Sequence, residues 1–158
     1  MTAPRLRGEI WRSTFGRPDA RWLRALSRLE RICYPPGVAY SRATLVEWMS
    51  EPDTLVLGLW QDGETLAATQ ISDLTEGHLI TLDVHPDHRR RGLGRRLLRA
   101  TLGLQRRWGG HDAVLCEIAV DNEPSLQLHE GEGFVILCRM EEYYENGTDA
   151  FVLGRRLD

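Results

Sequence analysis

A basic, glycine-containing stretch in the middle of the chain has the residue types and the spacing of a phosphate-binding loop. Between a predicted strand and a predicted helix the chain reads Arg89-Arg90-Arg91-Gly92-Leu93-Gly94-Arg95. The first amides of a helix have no intrahelical partner and carry positive partial charge, so they bind anions such as a pyrophosphate. Gly92 and Gly94 lack a Cβ, which lets the backbone approach phosphate oxygens closely. The arginines add charge for further phosphates.

Two other phosphate-binding motifs do not fit this stretch. A P-loop requires Gly-Lys-Ser/Thr, and the chain contains no lysine. A dinucleotide fingerprint requires a third glycine early in a βαβ unit, whereas that position is Leu97 and the preceding strands are predicted to form hairpins. A solvated basic turn in front of a helix is the alternative that remains for this stretch.

Apolar runs and turn residues predict the strands that hold this loop in place. The predicted strands are 9–15, 54–60, 65–72, 78–84, 113–120, 134–143 and 149–156. Asp62-Gly63 is a hairpin signal between the second and the third of them. Because hairpins join most neighbouring strands, the sheet is expected to be mixed and largely antiparallel.

Four helices are predicted from apolar periodicity and from residues that begin or end helices. In chain order they begin at Asp19, begin at Ser41, run from about Leu93 to Trp108, and lie between Pro124 and Gly131. Trp108 is expected on the core face of the third helix. The order of helices and strands predicts one α/β domain over residues 1–158.

Composition narrows the classes of function. The chain has 158 residues and a net charge of −3, which disfavours a general nucleic-acid binder. The first residues form no apolar segment of a signal peptide, and no run is long enough to span a membrane. The three cysteines, Cys33, Cys116 and Cys138, have no C-x-x-C spacing, so we expect reduced, buried thiols, no metal site and a cytoplasmic location.

The phosphate-loop stretch resembles the acetyl-CoA-binding motif of the GNAT acetyltransferase superfamily, Gln/Arg-x-x-Gly-x-Gly/Ala. Arg89, Gly92 and Gly94 fill its three positions. A later segment, from Asn122 to Gly133-Phe134, is similar to the family's N-x-x-A-x-x-L-Y-x-x-x-G-F pattern. In that segment Ser125 replaces the alanine and His129 replaces the tyrosine.

Two further segments resemble RimI-like protein N-terminal acetyltransferases more than the superfamily at large. They are the closing stretch from Tyr143 to Leu153 and the stretch from Tyr34 to Tyr40, which lies where those enzymes shape the peptide site. The resemblance implies the GNAT fold, with about seven strands, about four flanking helices and a splay between strands 78–84 and 113–120. It also implies acetyl-CoA as the cofactor, bound in that splay.

The same resemblance assigns cofactor-binding roles. Backbone groups on strand 78–84 would pair with the pantetheine arm, and amides of the basic loop would hold the pyrophosphate. The residues expected to bind the cofactor are Leu82, Val84, Arg89, Arg90, Arg91, Gly92, Leu93, Gly94, Arg95 and Asn122.

The resemblance implies direct attack of a neutral amine on the thioester in a ternary complex. Glu117 is expected as the general base, with His78 as the second candidate. His129, in place of the usual tyrosine, is expected to protonate the departing sulfur if Glu130 or Glu132 raises its pKa, and water is the alternative acid. Without the resemblance, each of these side chains has a plain surface or turn interpretation.

The expected acceptor is a protein N-terminal amine. An α-amine has a pKa of about 8 and a lysine side chain of about 10.4, so a modest base suits the former better. The peptide site is expected to include Tyr34, Val38, Tyr40, Tyr143 and Tyr144. The alternatives are a small-molecule amine or a lysine side chain as acceptor, or a non-catalytic CoA-binding module. No nucleic-acid or membrane partner is expected, and the chain is expected to be a monomer or a homodimer.

Overall fold

Seven β-strands pair into one mixed sheet in the computed structural model, which describes residues 5–13 and 17–158. In chain order they are β1 (Arg7–Arg12), β2 (Thr54–Trp60), β3 (Leu66–Asp73), β4 (His78–Val84), β5 (Ala113–Ala119), β6 (Val135–Met140) and β7 (Ala150–Arg156). Their order across the sheet is β1-β2-β3-β4-β5-β7-β6. Every neighbouring pair is antiparallel except β4 and β5, which are parallel.

Four α-helices flank the sheet in the part of the chain that the structure describes. They are α1 (Ala20–Cys33), α2 (Arg42–Ser50), α3 (Leu93–Leu104) and α4 (Glu123–Gly131). The side chains of Asp19, Ser41 and Asn122 accept hydrogen bonds from the first amides of α1, α2 and α4, which satisfies donors that a helix leaves unpaired. The predicted fold class is confirmed, and a helix lies in each of the four predicted regions, although the third is shorter than expected.

The two parallel strands separate soon after they meet. Only His78 and Leu79 of β4 pair with β5, opposite Leu115 and Cys116, whereas β5 and β7 pair over their full lengths. Beyond Leu79 the backbone of β4 diverges from β5 and leaves a wedge-shaped opening, so the predicted splay is confirmed.

The core lies on both faces of the sheet. Helices α1 and α2 cover one face with residues such as Leu26, Leu45 and Met49. On the opposite face Leu98 of α3 and Leu126 of α4 pack with the β5 and β7 side chains. The apolar stripes of the helices therefore hold them on either side of the opening.

The third helix ends earlier than its periodicity predicts. It gives way after Leu104 to a π-helical turn over Gln105–Gly109. A π turn contains more residues than an α turn and rotates the following side chains away from the original stripe. Trp108 is therefore 42% exposed and lies near the Arg12 guanidinium, so its predicted place in the core is wrong.

Strand ends and cysteines also differ from expectation. The predicted strand 9–15 is observed as Arg7–Arg12, and its residues 14–15 lie outside the described residues. The predicted strand 134–143 ends at Met140 because Glu142 has a left-handed φ of 49°. Cys116 is buried, Cys33 is half-buried and Cys138 is exposed. The expectation of three buried thiols is therefore wrong for Cys138, which lies on the edge strand β6.

Among the described residues, no helix is both long enough and apolar enough to cross a membrane.

Candidate active site

A cavity of about 1020 Å³ occupies the opening between β4 and β5. The loop between α1 and α2 bounds it on one side, and the N-termini of α3 and α4 bound it on the other. Nine of the ten predicted cofactor residues line this cavity: Leu82, Val84, Arg89, Arg90, Gly92, Leu93, Gly94, Arg95 and Asn122. The tenth, Arg91, does not.

The basic loop turns the N-terminus of α3 toward the cavity. Arg90 and Gly92 have left-handed φ angles of 61° and 74°, which redirect the chain between β4 and α3. The amides of the first helical turn precede the first intrahelical hydrogen bond, from Arg96 N to Gly92 O. They are therefore free to donate to an anion.

Gly94 lies where α3 approaches β4 and α4. A Cβ at this position would lie 3.2 Å from Leu128 Cδ2 and 3.6 Å from Val84 Cγ2. The absence of a Cβ therefore lets Leu128 and Val84 pack close to the first turn of the helix, beside the cavity-lining arginines and the helix amides. These residues fit a diphosphate followed by an extended amide chain, as in coenzyme A.

Arg91 is held outside the cavity by a histidine. Its Nη1 donates to His88 Nδ1 at 2.8 Å, and His88 Nε2 lies 3.0 Å from Gln61 Oε1. Because a guanidinium can only donate, Nδ1 must be unprotonated and the ring proton must lie on Nε2, where it is donated to Gln61. Burial and the nearby Arg91 charge lower the pKa of His88, which favours this neutral form. Sequence reasoning missed His88 and Gln61, and no spacing signal links them because they are 27 positions apart.

The predicted pantetheine-binding positions of β4 face the opening. His85 N donates to Ala67 O of the neighbouring strand at 2.8 Å. Because facing residues of an antiparallel pair alternate in their hydrogen bonding, Leu82 and Val84 direct their amides and carbonyls away from β3. The Tyr34 hydroxyl donates to Leu82 O at 3.0 Å, and Arg89 Nε donates to Val84 O at 3.0 Å.

The two predicted proton acceptors are in contact. His78 Nε2 lies 2.6 Å from Glu117 Oε2. Glu117 alternates along β5 with the buried Cys116 and Ile118, so it faces the α1 side of the sheet and lines the cavity. Hydrogen bonding to Glu117 raises the pKa of His78.

His129 is buried, and its surroundings favour the neutral imidazole. It is 3% exposed, packs edge-on against Phe134 with 5.1 Å between ring centroids, and lies with Nδ1 2.8 Å from Ser125 O. That carbonyl can only accept, so the neutral ring carries its proton on Nδ1. Burial lowers the pKa of His129.

The condition set for His129 as the acid, that Glu130 or Glu132 raises its pKa, is not met in the structure. Glu132 instead forms ion pairs with Arg95 and Arg99 of α3, at 3.0 and 2.9 Å. Glu130, the other candidate, is exposed on α4. At neutral pH the Nε2 atom of His129 therefore has no proton to donate.

Two loops form the mouth of the cavity opposite the phosphate loop. Tyr34, Val38, Tyr40 and Tyr144 of the predicted peptide site line the cavity. Tyr143 lies beside it, edge-on to Tyr144 at 4.9 Å.

The α1–α2 loop meets the β6–β7 loop at Gly37. Its φ is +83°, and a Cβ there would lie 3.0 Å from Asn146 Cβ. Asn146 and Thr148 also line the cavity and were not singled out from the sequence. Contact between these loops therefore sets the width of the mouth.

Burial raises the pKa of Tyr34, Tyr40 and Tyr144 above its ordinary value. Their phenols therefore stay protonated at neutral pH and serve as hydrogen-bond donors. Among the described residues, no three His, Cys, Asp or Glu side chains form a group that could hold a metal ion.

Comparisons with known proteins agree with this arrangement. The Acetyltransferase (GNAT) family matches residues 23–134. N-alpha-acetyltransferase RimI of Mycobacterium tuberculosis is 31% identical over 126 residues, which cover 76% of this chain and 74% of that protein. L-amino acid N-acyltransferase MnaT of Escherichia coli is 41% identical over 75 residues, which cover 48% of this chain and 40% of that protein.

Three other curated relatives, all N-alpha-acetyltransferases, are matched over about half of their length, 49% in each case. Among solved structures, the ribosomal-protein-S18-alanine N-acetyltransferase from Escherichia coli superposes with a TM-score of 0.76 at 22% identity. The superposition covers 96% of this chain and 95% of that one, so the two chains share a fold.

Proposed function

Because the chain belongs to the GNAT acetyltransferase family, we propose that it transfers an acetyl group from acetyl-CoA to the N-terminal α-amine of a peptide or protein. One observation carries this proposal. A single cavity extends from the amides at the N-terminus of α3 to the Glu117 carboxylate, with His78 directly behind it.

The phosphate loop would hold the cofactor. The amides of Leu93, Gly94 and Arg95 would donate to the diphosphate, and the amides of Leu82 and Val84 would pair with the pantetheine arm. When bound, acetyl-CoA supplies the acetyl group as a thioester. The Arg91 side chain lies outside the cavity, so it would affect cofactor binding indirectly, by contacting His88 and maintaining the shape of the loop.

Glu117 and His78 would remove the proton of the acceptor ammonium. Glu117 lines the cavity and is the member of the pair that an acceptor reaches. A proton accepted at Glu117 Oε2 can pass to His78 Nε2, 2.6 Å away, when His78 is neutral and its ring proton is on Nδ1, so that Nε2 is free to accept. Because the carboxylate raises the pKa of His78, this pathway gains in efficiency as the pH rises through a value above 6.5.

The proton that the departing sulfur needs comes from water in our proposal. His129 can donate from Nε2 only as an imidazolium, because its neutral ring keeps the proton on Nδ1 toward Ser125 O. Its lowered pKa makes that charged form scarce at neutral pH. The role predicted for His129 from the sequence is therefore limited to acidic conditions.

The open mouth supports a peptide acceptor. Tyrosines from two loops and Asn146 surround it, and the phenols of Tyr40 and Tyr144 could donate to peptide carbonyls. The similarity to RimI over most of both chains supports the same choice. A small amine such as a free amino acid is the second candidate, favoured by the similarity to MnaT.

A coenzyme A release assay tests the proposal. The purified protein is incubated with acetyl-CoA and a panel of short peptides with free N-termini, alongside free amino acids. The same peptides with acetylated N-termini are the control, since only the α-amine differs. Turnover that requires a free peptide N-terminus supports the proposal, and turnover confined to free amino acids replaces it with the second candidate.

A further inference from the structure

Two buried carboxyl groups that the proposed reaction does not use line the cavity. They are Glu30 of α1, which is 1% exposed, and Asp83 of β4, which is 2% exposed. Each carboxyl lies close enough to the other to shift its pKa. Two buried carboxylates so close together would repel, so one of the two is expected to hold a proton and the other the negative charge.

Each member of the pair is tied to a different part of the site. Glu30 Oε1 accepts a hydrogen bond from the amide of Tyr40 at 3.0 Å, ten positions further along the chain. Asp83 Oδ1 accepts one from the Thr81 hydroxyl on the same strand at 2.6 Å. The pair therefore connects the end of the α1–α2 loop to the strand whose backbone faces the cofactor position.

The start of that loop is fixed to the same strand. The Tyr34 hydroxyl donates to Leu82 O at 3.0 Å, and the Cys33 thiol donates to Val84 O at 3.4 Å. Both ends of the Tyr34–Tyr40 loop are thus held against β4, one by a phenol and one through the carboxyl pair.

The surroundings decide where the proton lies. Burial and the nearby Asp83 charge raise the pKa of Glu30 to about 10. Arg89 is the cationic neighbour of the pair, and its charge favours an ionised Asp83. The other titratable neighbours are Cys33, Tyr34 and Tyr40, whose pKa values are all raised by burial, so they stay neutral. The proton accordingly lies on Glu30 and the negative charge on Asp83.

We propose that Glu30 and Asp83 form a proton-sharing pair that positions the Tyr34–Tyr40 loop for the acceptor. Both are positioning residues, since they act through the loop. The inference rests on the proposed function only in that the loop borders the acceptor site. A neutral amide at position 30 can accept from Tyr40 N and donate to Asp83, so the pair requires a neutral hydrogen-bonding group at Glu30 and no second charge.

Kinetics of Glu30 variants test this requirement. Glu30→Gln is expected to keep the acceptor KM within about twofold of the wild type, whereas Glu30→Ala raises it about tenfold or more. The KM for acetyl-CoA is expected to change less than about twofold in both variants. Glu47→Ala, which removes an exposed carboxylate from α2, is the matched control. A Glu30→Gln variant as impaired as Glu30→Ala overturns the proposal.

The pH profile provides a readout that a merely structural role would not change. The wild-type pair loses its proton near the raised pKa of Glu30, about 10, and two adjacent carboxylates then repel. The ratio of wild-type to Glu30→Gln kcat/KM for the acceptor is therefore expected to fall as the pH approaches that value. A ratio that stays constant over the alkaline range contradicts proton sharing.

Hydrogen–deuterium exchange of the loop separates this inference from the proposed function. Amides in the Tyr34–Tyr40 peptide are expected to exchange about tenfold faster in Glu30→Ala and at the wild-type rate in Glu30→Gln. This pattern with no acetyl transfer to any amine would retain the positioning pair and reject the proposed function. Unchanged exchange in a folded Glu30→Ala variant overturns the pair whatever the activity. If Glu30→Ala does not fold, faster exchange of the same amides in Glu30→Gln would overturn the proposed pair instead.

Discussion

The imidazole of His78 and the carboxylate of Glu117 meet at the vertex of the opening, with 2.6 Å between Nε2 and Oε2. His78 is the first residue of β4 and lies in the short stretch that pairs with β5, opposite Leu115. Glu117 lies two positions beyond that residue, where the strands have begun to diverge. The same divergence that makes room for a cofactor therefore brings these two groups together on the acceptor side.

Replacing the Glu117 carboxylate tests its role as proton acceptor. Glu117→Gln is expected to lower kcat about 10²- to 10⁴-fold, the usual contribution of a general base. Coenzyme A affinity, measured by calorimetry, is expected to remain unchanged because the phosphate loop is untouched. Glu130→Gln, on the exposed side of α4, is the control, and near wild-type turnover by Glu117→Gln would refute the assignment.

The His78–Glu117 contact also has a spectroscopic signature. Because hydrogen bonding to Glu117 is the main cause of the raised pKa of His78, the wild-type imidazole is expected to titrate above 6.5. In Glu117→Gln the pKa should fall, since the remaining burial disfavours the charged ring. Two-dimensional NMR titration of the histidine ring signals measures both values. An unchanged pKa would show that the pair is not formed in solution.

His129 is expected to make the fold sensitive to acid. Its pKa is lowered in the folded protein, so the unfolded chain binds more protons once the pH falls below the ordinary value of about 6.5. The contribution of His129 to stability is therefore lost as the pH decreases from 7 toward 5. The stability of the wild type relative to His129→Phe, measured by urea unfolding, should accordingly fall over this range. The raised pKa values of Glu30 and His78 give slopes of the opposite sign, but these are common to both proteins and cancel in the difference.

The same variant tests the source of the sulfur's proton. If water supplies it, His129→Phe should retain kcat within about tenfold of the wild type at neutral pH. A much larger loss of kcat, with the fold intact by circular dichroism, would restore His129 as the acid.

Arg91 is expected to affect cofactor binding through loop shape. Arg91→Ala and His88→Phe should each weaken coenzyme A binding by about tenfold, and the double variant should lose little more because both break one contact. In Arg91→Ala and in His88→Phe, the salt dependence of coenzyme A binding should be the same as in the wild type. In Arg90→Ala, which removes a cavity-lining charge, the affinity for coenzyme A should depend less on salt. Arg96→Ala, an exposed neighbour outside the cavity, is the control, and additive losses in the double variant would contradict a shared contact.

The width of the mouth is tested by two glycines with the same backbone angle. Gly37 and Gly147 both have φ +83°, but only Gly37 has a close neighbour, Asn146, within 4 Å of an added Cβ. Both alanine variants carry similar backbone strain, about 1–2 kcal/mol. Gly37→Ala should in addition displace the loop contact and raise the acceptor KM about tenfold, while Gly147→Ala changes it less than about threefold. Equal effects would mean that strain alone matters.

Local patterns predicted the parts of the site that lie close together in sequence. The arginine and glycine spacing of residues 89–95 identified the loop, and apolar periodicity identified the strand and the helix on either side of it. These features depend on backbone rules that act within a few residues. The same rules failed at Trp108, because periodicity alone does not reveal that the α-helix passes into a π turn.

Long-range contacts had no comparable local signal. His78 and Glu117 are 39 positions apart, and their contact depends on the register of a parallel pair that only tertiary packing sets. Glu30 is a carboxyl on the buried face of α1, and Asp83 stands between apolar residues of β4. Nothing in the sequence links them, because they come together only when α1 packs across β4. Arg91 is predicted from the sequence as a phosphate ligand, and the structure shows its guanidinium donating to His88, a contact that the local pattern did not indicate.

Because β4 pairs with β5 only at His78 and Leu79, the sheet consists of two antiparallel parts, β1-β2-β3-β4 and β5-β7-β6, that are joined along a short stretch. At Leu82 and Val84 the first part directs its main-chain amides away from β3, whereas the carbonyls of the same residues accept hydrogen bonds from Tyr34 and Arg89. A molecule lying along that edge would bridge the two parts by accepting hydrogen bonds from those amides. A ligand bound in the opening between β4 and β5 should therefore reduce the motion of the two parts of the sheet relative to each other. Ligands that bind more tightly should reduce this motion more.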